Sequence, residues 1–132
     1  MISRYEIYPE KRVVLLRLTG RYTLSELTRL VQGICDDPSY RRDYKGLIDI
    51  TNASADMTMD GFRSLIVFVK NYEKYSTARW AAVASTPFPT AYAMLYRAAL
   101  EGRQHFEVFS TWEAACSFLD VELAPDMPLR PL

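Results

Sequence analysis

Gly46 to Tyr75 reads GLIDITNASADMTMDGFRSLIVFVKNYEKY. Gly46 to Thr51 is a short apolar strand with Asp49 near its end, and a polar loop follows from Asn52. Phe62, Leu65, Ile66, Val69 and Tyr72 then recur at helical spacing, the stripe of an amphipathic helix that begins near Thr58. This order sets a polar loop and a helix start at the carboxyl end of a strand, where open α/β sheets keep their functional groups.

Working outward, Arg4 to Ile7 and Arg12 to Leu18 read as two strands joined by a proline-containing turn at Tyr8-Pro9-Glu10-Lys11. Thr23-Leu24-Ser25-Glu26 has the spacing of a capping box and opens a helix through Leu27, Leu30, Val31 and Ile34 that ends before Pro38. Downstream, Arg79 to Ser85 is a nearly continuous run of small apolar residues, as suits a strand covered on both faces. Pro87 and Pro89 precede a helix from about Thr90 to Leu100, with Gly102 as its stop, and His105 to Phe109 is a fifth strand. Ser110 and Glu113 repeat the capping-box spacing before a last helix through Ala114, Ala115, Phe118 and Leu119. The order is ββαβαβαβα. Strand-helix-strand connections of this length return parallel and right-handed, so the expected fold is α/β: a mixed, mostly parallel five-stranded sheet packed with four helices.

The chain has 132 residues, 49% apolar and 24% charged, which suits one domain with its own core, over residues 1 to 123. From Ala124 the tail APDMPLRPL holds three prolines and is expected to lack regular structure. Sixteen basic residues balance sixteen acidic ones, so no net field holds a nucleic acid. Cys35 and Cys116 make no disulfide framework, Arg4 and Glu6 interrupt any signal sequence, and LIVFV and WAAVA are too short to span a bilayer. A soluble, cytoplasmic protein is expected.

LIDIT ahead of a helix opening with Asp60-Gly61, then WAAVAS, PTAYAMLYRAALEG and FEVFSTWEAACSFL, on this element order, resemble the STAS fold of anti-sigma-factor antagonists and, more narrowly, the stand-alone bacterial SpoIIAA-like proteins. The likeness covers about residues 3 to 121. In the signalling members a serine just before the glycine of Asp-Ser-Ser-Gly is phosphorylated by a partner kinase. Thr58-Met59-Asp60-Gly61 takes that place here, so Asp60 stands where the acceptor hydroxyl belongs. The resemblance implies a non-enzymatic regulatory module that binds a protein partner through residues 52 to 62. SpoIIAA-like proteins also resemble CRAL-TRIO lipid-transfer domains, which implies the alternative of a carrier or sensor for a small apolar ligand.

The residues themselves allow a structural and a functional reading at each candidate. Asp60 is first an acid favouring the positive end of the helix dipole, and second a fixed negative charge mimicking phosphate. Thr58 reads as a helix cap before it reads as a phosphate acceptor, and Ser54 is a loop hydroxyl without such a duty. Thr51 with Asn52, Ser85 with Thr86, and Ser110 with Thr111 bring hydroxyls and an amide to one sheet edge, where Phe88, Tyr92 and Tyr96 supply an apolar wall for a ligand. The same residues also suit turns and caps.

Catalysis has little support. His105, the only histidine, has no nearby cysteine or acid pair to make a metal site, no serine lies in a nucleophile elbow, and five glycines are scattered singly. No metal, cofactor or enzymatic activity is expected. Arg41, Arg42 and Lys45 with Tyr40 and Tyr44 form a basic and aromatic cluster, read as a solvated loop or as a contact for an acidic partner. A homodimer through the hairpin or the second helix is a further expectation.

Overall fold

The computed structural model describes residues 2–56, 58–125 and 130–131. Its sheet begins with an antiparallel hairpin, β1 (Ile2–Tyr8) and β2 (Val13–Thr23), closed by the turn at Pro9. β3 (Lys45–Asp56), β4 (Trp80–Val83) and β5 (Phe106–Phe109) then add in parallel beside β2. A short β6 (Arg130–Pro131) pairs antiparallel with the outer edge of β1, giving the spatial order β5-β4-β3-β2-β1-β6. The five strands expected from the sequence thus form a mixed, mostly parallel sheet. The tail differs from expectation in supplying a sixth strand, and proline is tolerated there because the strand lies on the edge.

Four helices connect the strands: α1 (Leu24–Cys35), α2 (Met59–Asn71), α3 (Pro87–Ala99) and α4 (Trp112–Leu119). Their starts follow from local chemistry. Thr23 accepts from the Glu26 amide while the Glu26 carboxylate accepts from the Thr23 amide, a complete capping box. Thr58 accepts from the Gly61 amide at 3.0 Å. α3 begins at Pro87 rather than Thr90, because prolines in a first turn lack only amides that have no helical partner anyway. The cap of α4 is Thr111, one residue beyond Ser110, and it accepts from the Ala114 amide.

β3 runs five residues past Thr51, where a loop was expected. Its register against β2 shifts between Arg17/Asp49 and Thr19/Asn52, so β3 carries one extra residue there. This bulge lets Ile50 and then Ala53 both turn to the same buried layer. Asn52, Ser54 and Asp56 alternate outward and are exposed, the period-2 pattern of a half-buried strand.

The two faces of the sheet are covered unequally. α4 alone packs on one face, where Val13, Leu15, Leu47, Ala81, Ala115 and Leu119 are 0% exposed. Each fully buried leucine there contributes about 1.5–3 kcal/mol. α1, α2 and α3 share the other face, over Leu16, Leu18, Ile48, Ile50 and Ala82.

Candidate functional site

A cavity of about 120 Å³ lies between this second face and its helices. Leu16, Leu18, Ile48 and Ile50 form the floor, with Ala82 leaving it low on β4. The Trp80 ring, which lines the cavity, packs over Gly46, where an added Cβ would stand 2.1 Å from it. Phe62 and Leu65 of α2 form the roof. α2 packs mainly on α1, and Leu65 and Val69 also cluster with Leu100 just beyond α3, so the roof stands off from the sheet. A small residue below and a helix carried by other helices above leave the gap.

The far end of α2 is tied down. The Tyr72 hydroxyl donates to Asp36 at 2.5 Å, Lys74 pairs with the same carboxylate at 3.2 Å, and Arg103 donates to the Lys70 carbonyl at 3.1 Å. The bond to Asp36 pushes the Tyr72 hydroxyl up to about 12 and holds the Asp36 carboxyl below its usual range.

Most of the cavity wall is aliphatic or aromatic, and no charged residue lines it. Cys35, Tyr40, Tyr75, Ser76 and Tyr96 form one polar group in the wall, and Tyr22 and Tyr92 bring two further hydroxyls. The Tyr75 and Tyr96 hydroxyls bond each other, and Tyr75 also reaches Gln104 Oε1 at 3.5 Å. Ser76 donates to the Arg42 carbonyl and accepts from the Ala78 amide and Trp80 Nε1. Tyr40 Oη is buried beside Cys35 and Ser76, near enough for each to influence its titration, but with no partner at hydrogen-bond geometry among the described residues. Burial raises the pKa of the Tyr40, Tyr75 and Tyr96 hydroxyls and pushes the Cys35 thiol up to about 11. All four stay protonated at neutral pH, and Cys35 is a weak nucleophile.

The residues singled out from the sequence fall into three places. Tyr92 and Tyr96 line the cavity, and Tyr92 meets Phe62 with ring centroids 6.3 Å apart. Val83 pairs with Asp49 and with Phe109, which sets Thr51, Ser85 and Ser110 one or two residues beyond that row, at the carboxyl edge. Ser85, Thr86, Phe88 and Ser110 are exposed there, Phe88 at 79%, and none of them lines the cavity. Thr51 is engaged with Asp49, its hydroxyl donating at 2.6 Å, and Asp49 also holds Arg17 at 3.0 Å. The aspartate of the LIDIT strand is therefore one partner of a largely buried ion pair.

Asn52 and Ser54 project from β3, while Thr58, Asp60 and Gly61 make the first turn of α2. Asp60 is 94% exposed at its side chain and pairs with Arg63 at 3.0 Å. The cluster around Tyr40 differs from either reading of it, since Tyr40 and Tyr44 turn inward and Lys45 donates to the Leu119 carbonyl at 2.6 Å. Tyr75, Ser76 and Cys35 are not singled out from the sequence as site residues, and Tyr40 is read only within the basic and aromatic cluster. Three of the four lie in loops, where no periodicity marks which side faces the core, and only the tertiary fold brings them together.

No group of three or more histidine, cysteine or acidic residues among those described is placed to hold a metal ion. His105 stacks edge-on against Phe118 and lies 3.3 Å from Glu107 beside a surface cleft in which Glu107 also pairs with Arg97 at 2.8 Å. No described helix is long and apolar enough to cross a membrane.

The described residues thus form a hairpin extended by three parallel strands, with helices divided three to one across the sheet. The crystal structure of an uncharacterised protein of the DUF3478 family with a SpoIIAA-like fold, from Shewanella loihica PV-4, is similar to this chain at a TM-score of 0.59 and 14% identity, over 90% of this chain and 95% of that one. The chain thus has the SpoIIAA-like fold. No protein-family model matches it, and no curated protein does.

Proposed function

We propose that this protein is a non-enzymatic binding module that carries or senses a small apolar molecule in the cavity beneath α2. The observation that supports this is a cavity of about 120 Å³ between the sheet and its helices, with no charged residue in its wall. Comparable apolar cavities, at about 150 Å³, stay dry and take up benzene or xenon. The ligand site moves from the exposed carboxyl edge to the space between sheet and helices, retaining Tyr92 and Tyr96. The unpaired Cys35 and Cys116 support a reducing, cytoplasmic setting.

Crystals pressurised with xenon, and thermal denaturation with toluene, test this reading. Xenon is expected beside Leu18, Ile50 and Ala82, and toluene at about 100 times its Kd stabilises the protein by about 2.7 kcal/mol. An empty cavity under xenon and an unchanged melting curve would overturn it.

A second reading, a regulatory module that binds a protein partner through residues 52 to 62, is favoured by the exposure of that surface. Met59 is 50% exposed next to Asp60, on the helix that roofs the cavity. Immobilised protein should capture a partner that the Asp60→Lys variant loses. Identical capture by both proteins would remove this surface from consideration.

A further inference from the structure

We propose that the ligand of this cavity is a small uncharged molecule with one hydrogen-bond acceptor, seated with that acceptor on the Tyr40 hydroxyl. This rests on the cavity being a ligand site, and it adds the chemistry that recognises the occupant.

Its support is an inventory of donors among the polar groups of the wall. A serine hydroxyl offers one donor and two acceptor positions, and Ser76 uses all three, on Arg42, Ala78 and Trp80. The Tyr75 and Tyr96 hydroxyls are engaged with each other, and Tyr75 also reaches Gln104 Oε1, so neither oxygen is without a partner. Cys35 offers only a weak S–H donor. Tyr22 and Tyr92 carry the other lining hydroxyls, and Gln104 Nε2 is buried without a partner but outside the lining, so Tyr40 is the described lining residue whose buried polar atom lacks a hydrogen bond. Tyr40 is 6% exposed, it lines the cavity, and its oxygen has no partner at hydrogen-bond geometry among the described residues.

A buried donor left without an acceptor is costly, so an occupant that brings one is favoured over an equally shaped hydrocarbon. Charge is excluded on both sides. No lysine, arginine or histidine lines the cavity to balance a carboxylate or phosphate, and no acid lines it to balance an amine. The volume suits a single small ring or a short chain ending in a carbonyl, an ether or a hydroxyl.

The test uses two ring compounds of nearly the same shape, cyclopentanone and methylenecyclopentane, titrated into wild type and Tyr40→Phe by protein-observed NMR. Tyr40→Phe keeps the ring and removes only the hydroxyl. Dividing the ketone-to-alkene affinity ratio of wild type by that of the variant cancels the different hydration of the two probes. The expected quotient is about tenfold, the ratio that corresponds to 1.4 kcal/mol. A quotient within about twofold of unity, with both probes bound, overturns the acceptor proposal and leaves the cavity reading standing. Binding of neither probe overturns both. Infrared spectroscopy on wild type alone gives an independent readout: the carbonyl stretch of bound cyclopentanone should move to lower wavenumber than in hydrocarbon solvent, and an unshifted band counts against the proposal.

Discussion

Ala81 and Ala82 are neighbours on β4 that point to opposite faces, and both are almost fully buried, at 0% and 1%. Enlarging each in turn asks whether the space above the sheet is real. At about 24 cal/mol per Å³, an unfilled volume of 120 Å³ costs about 2.9 kcal/mol. Ala82→Leu places three further carbons in that space, worth about 2.4 kcal/mol at roughly 0.8 kcal/mol each. Imperfect fit takes back part of this, leaving a net gain of about 1–2 kcal/mol. For a domain of this size each kcal/mol moves Tm by about 3–5 °C, so a rise of several degrees is expected in a calorimetric scan. Ala81→Leu drives the same side chain into the solid layer against α4 and should lose about 1–3 kcal/mol. Strand propensity changes equally in both, so the difference isolates the cavity. Ala82→Leu should also abolish toluene binding. If the two variants destabilise the protein to the same extent, no usable space exists beneath α2 and the functional reading collapses with it.

Three other outcomes follow from the geometry. Gly46→Ala brings a methyl group to 2.1 Å from the Trp80 ring, so a loss of about 1–3 kcal/mol with a shift in tryptophan emission is expected; unaltered stability and emission would show that the ring does not lie over Gly46. Thr58→Ala removes the bond to the Gly61 amide and should cost about 1 kcal/mol in urea denaturation. Thr86→Ala should cost far less, because Thr86 makes no side-chain cap bond to α3, and equal losses would contradict that contrast. The third concerns alkali. The buried Cys35 thiol titrates near 11 instead of 9, and Tyr40, Tyr75 and Tyr96 are shifted in the same direction, so the native state holds these protons more tightly than the unfolded chain. Their contribution is complete below about pH 9 and is lost as pH rises through 11 and above. Urea midpoints measured from pH 8 to 11 should fall, and Cys35→Ala should flatten the early part of that fall; a slope unchanged by Cys35→Ala would show that the thiol is not buried.

Much of the fold could be read from the residues because periodicity and caps agreed. Leu27, Leu30, Val31 and Ile34 follow a capping box that the structure completes, and the small apolar run at Trp80 to Val83 does lie between two other strands. The bulge was not legible. Asn-Ala-Ser-Ala-Asp alternates as a strand should, but its polar residues suggested a loop, and nothing local announces an extra residue between Asp49 and Asn52. The cavity was harder still. Its floor depends on which of two adjacent alanines faces inward, and its polar group joins Tyr40 to Tyr75 and Tyr96 across long stretches of chain. Of the residues read from the sequence as a ligand wall, the aromatic pair Tyr92 and Tyr96, one turn apart on a helix, is the part that lines this cavity.

The way α2 is held has a consequence for motion. It is fastened at its carboxyl end through Tyr72 and Asp36 and contributes no rung to the β ladder, so its amino-terminal turns can swing away while every strand remains paired. Hydrogen exchange in α2 should therefore proceed through a low-energy opening, whereas the amides shared by β2 and β3 wait for global unfolding. Such an opening would uncover the cavity beneath α2 without unpairing the sheet.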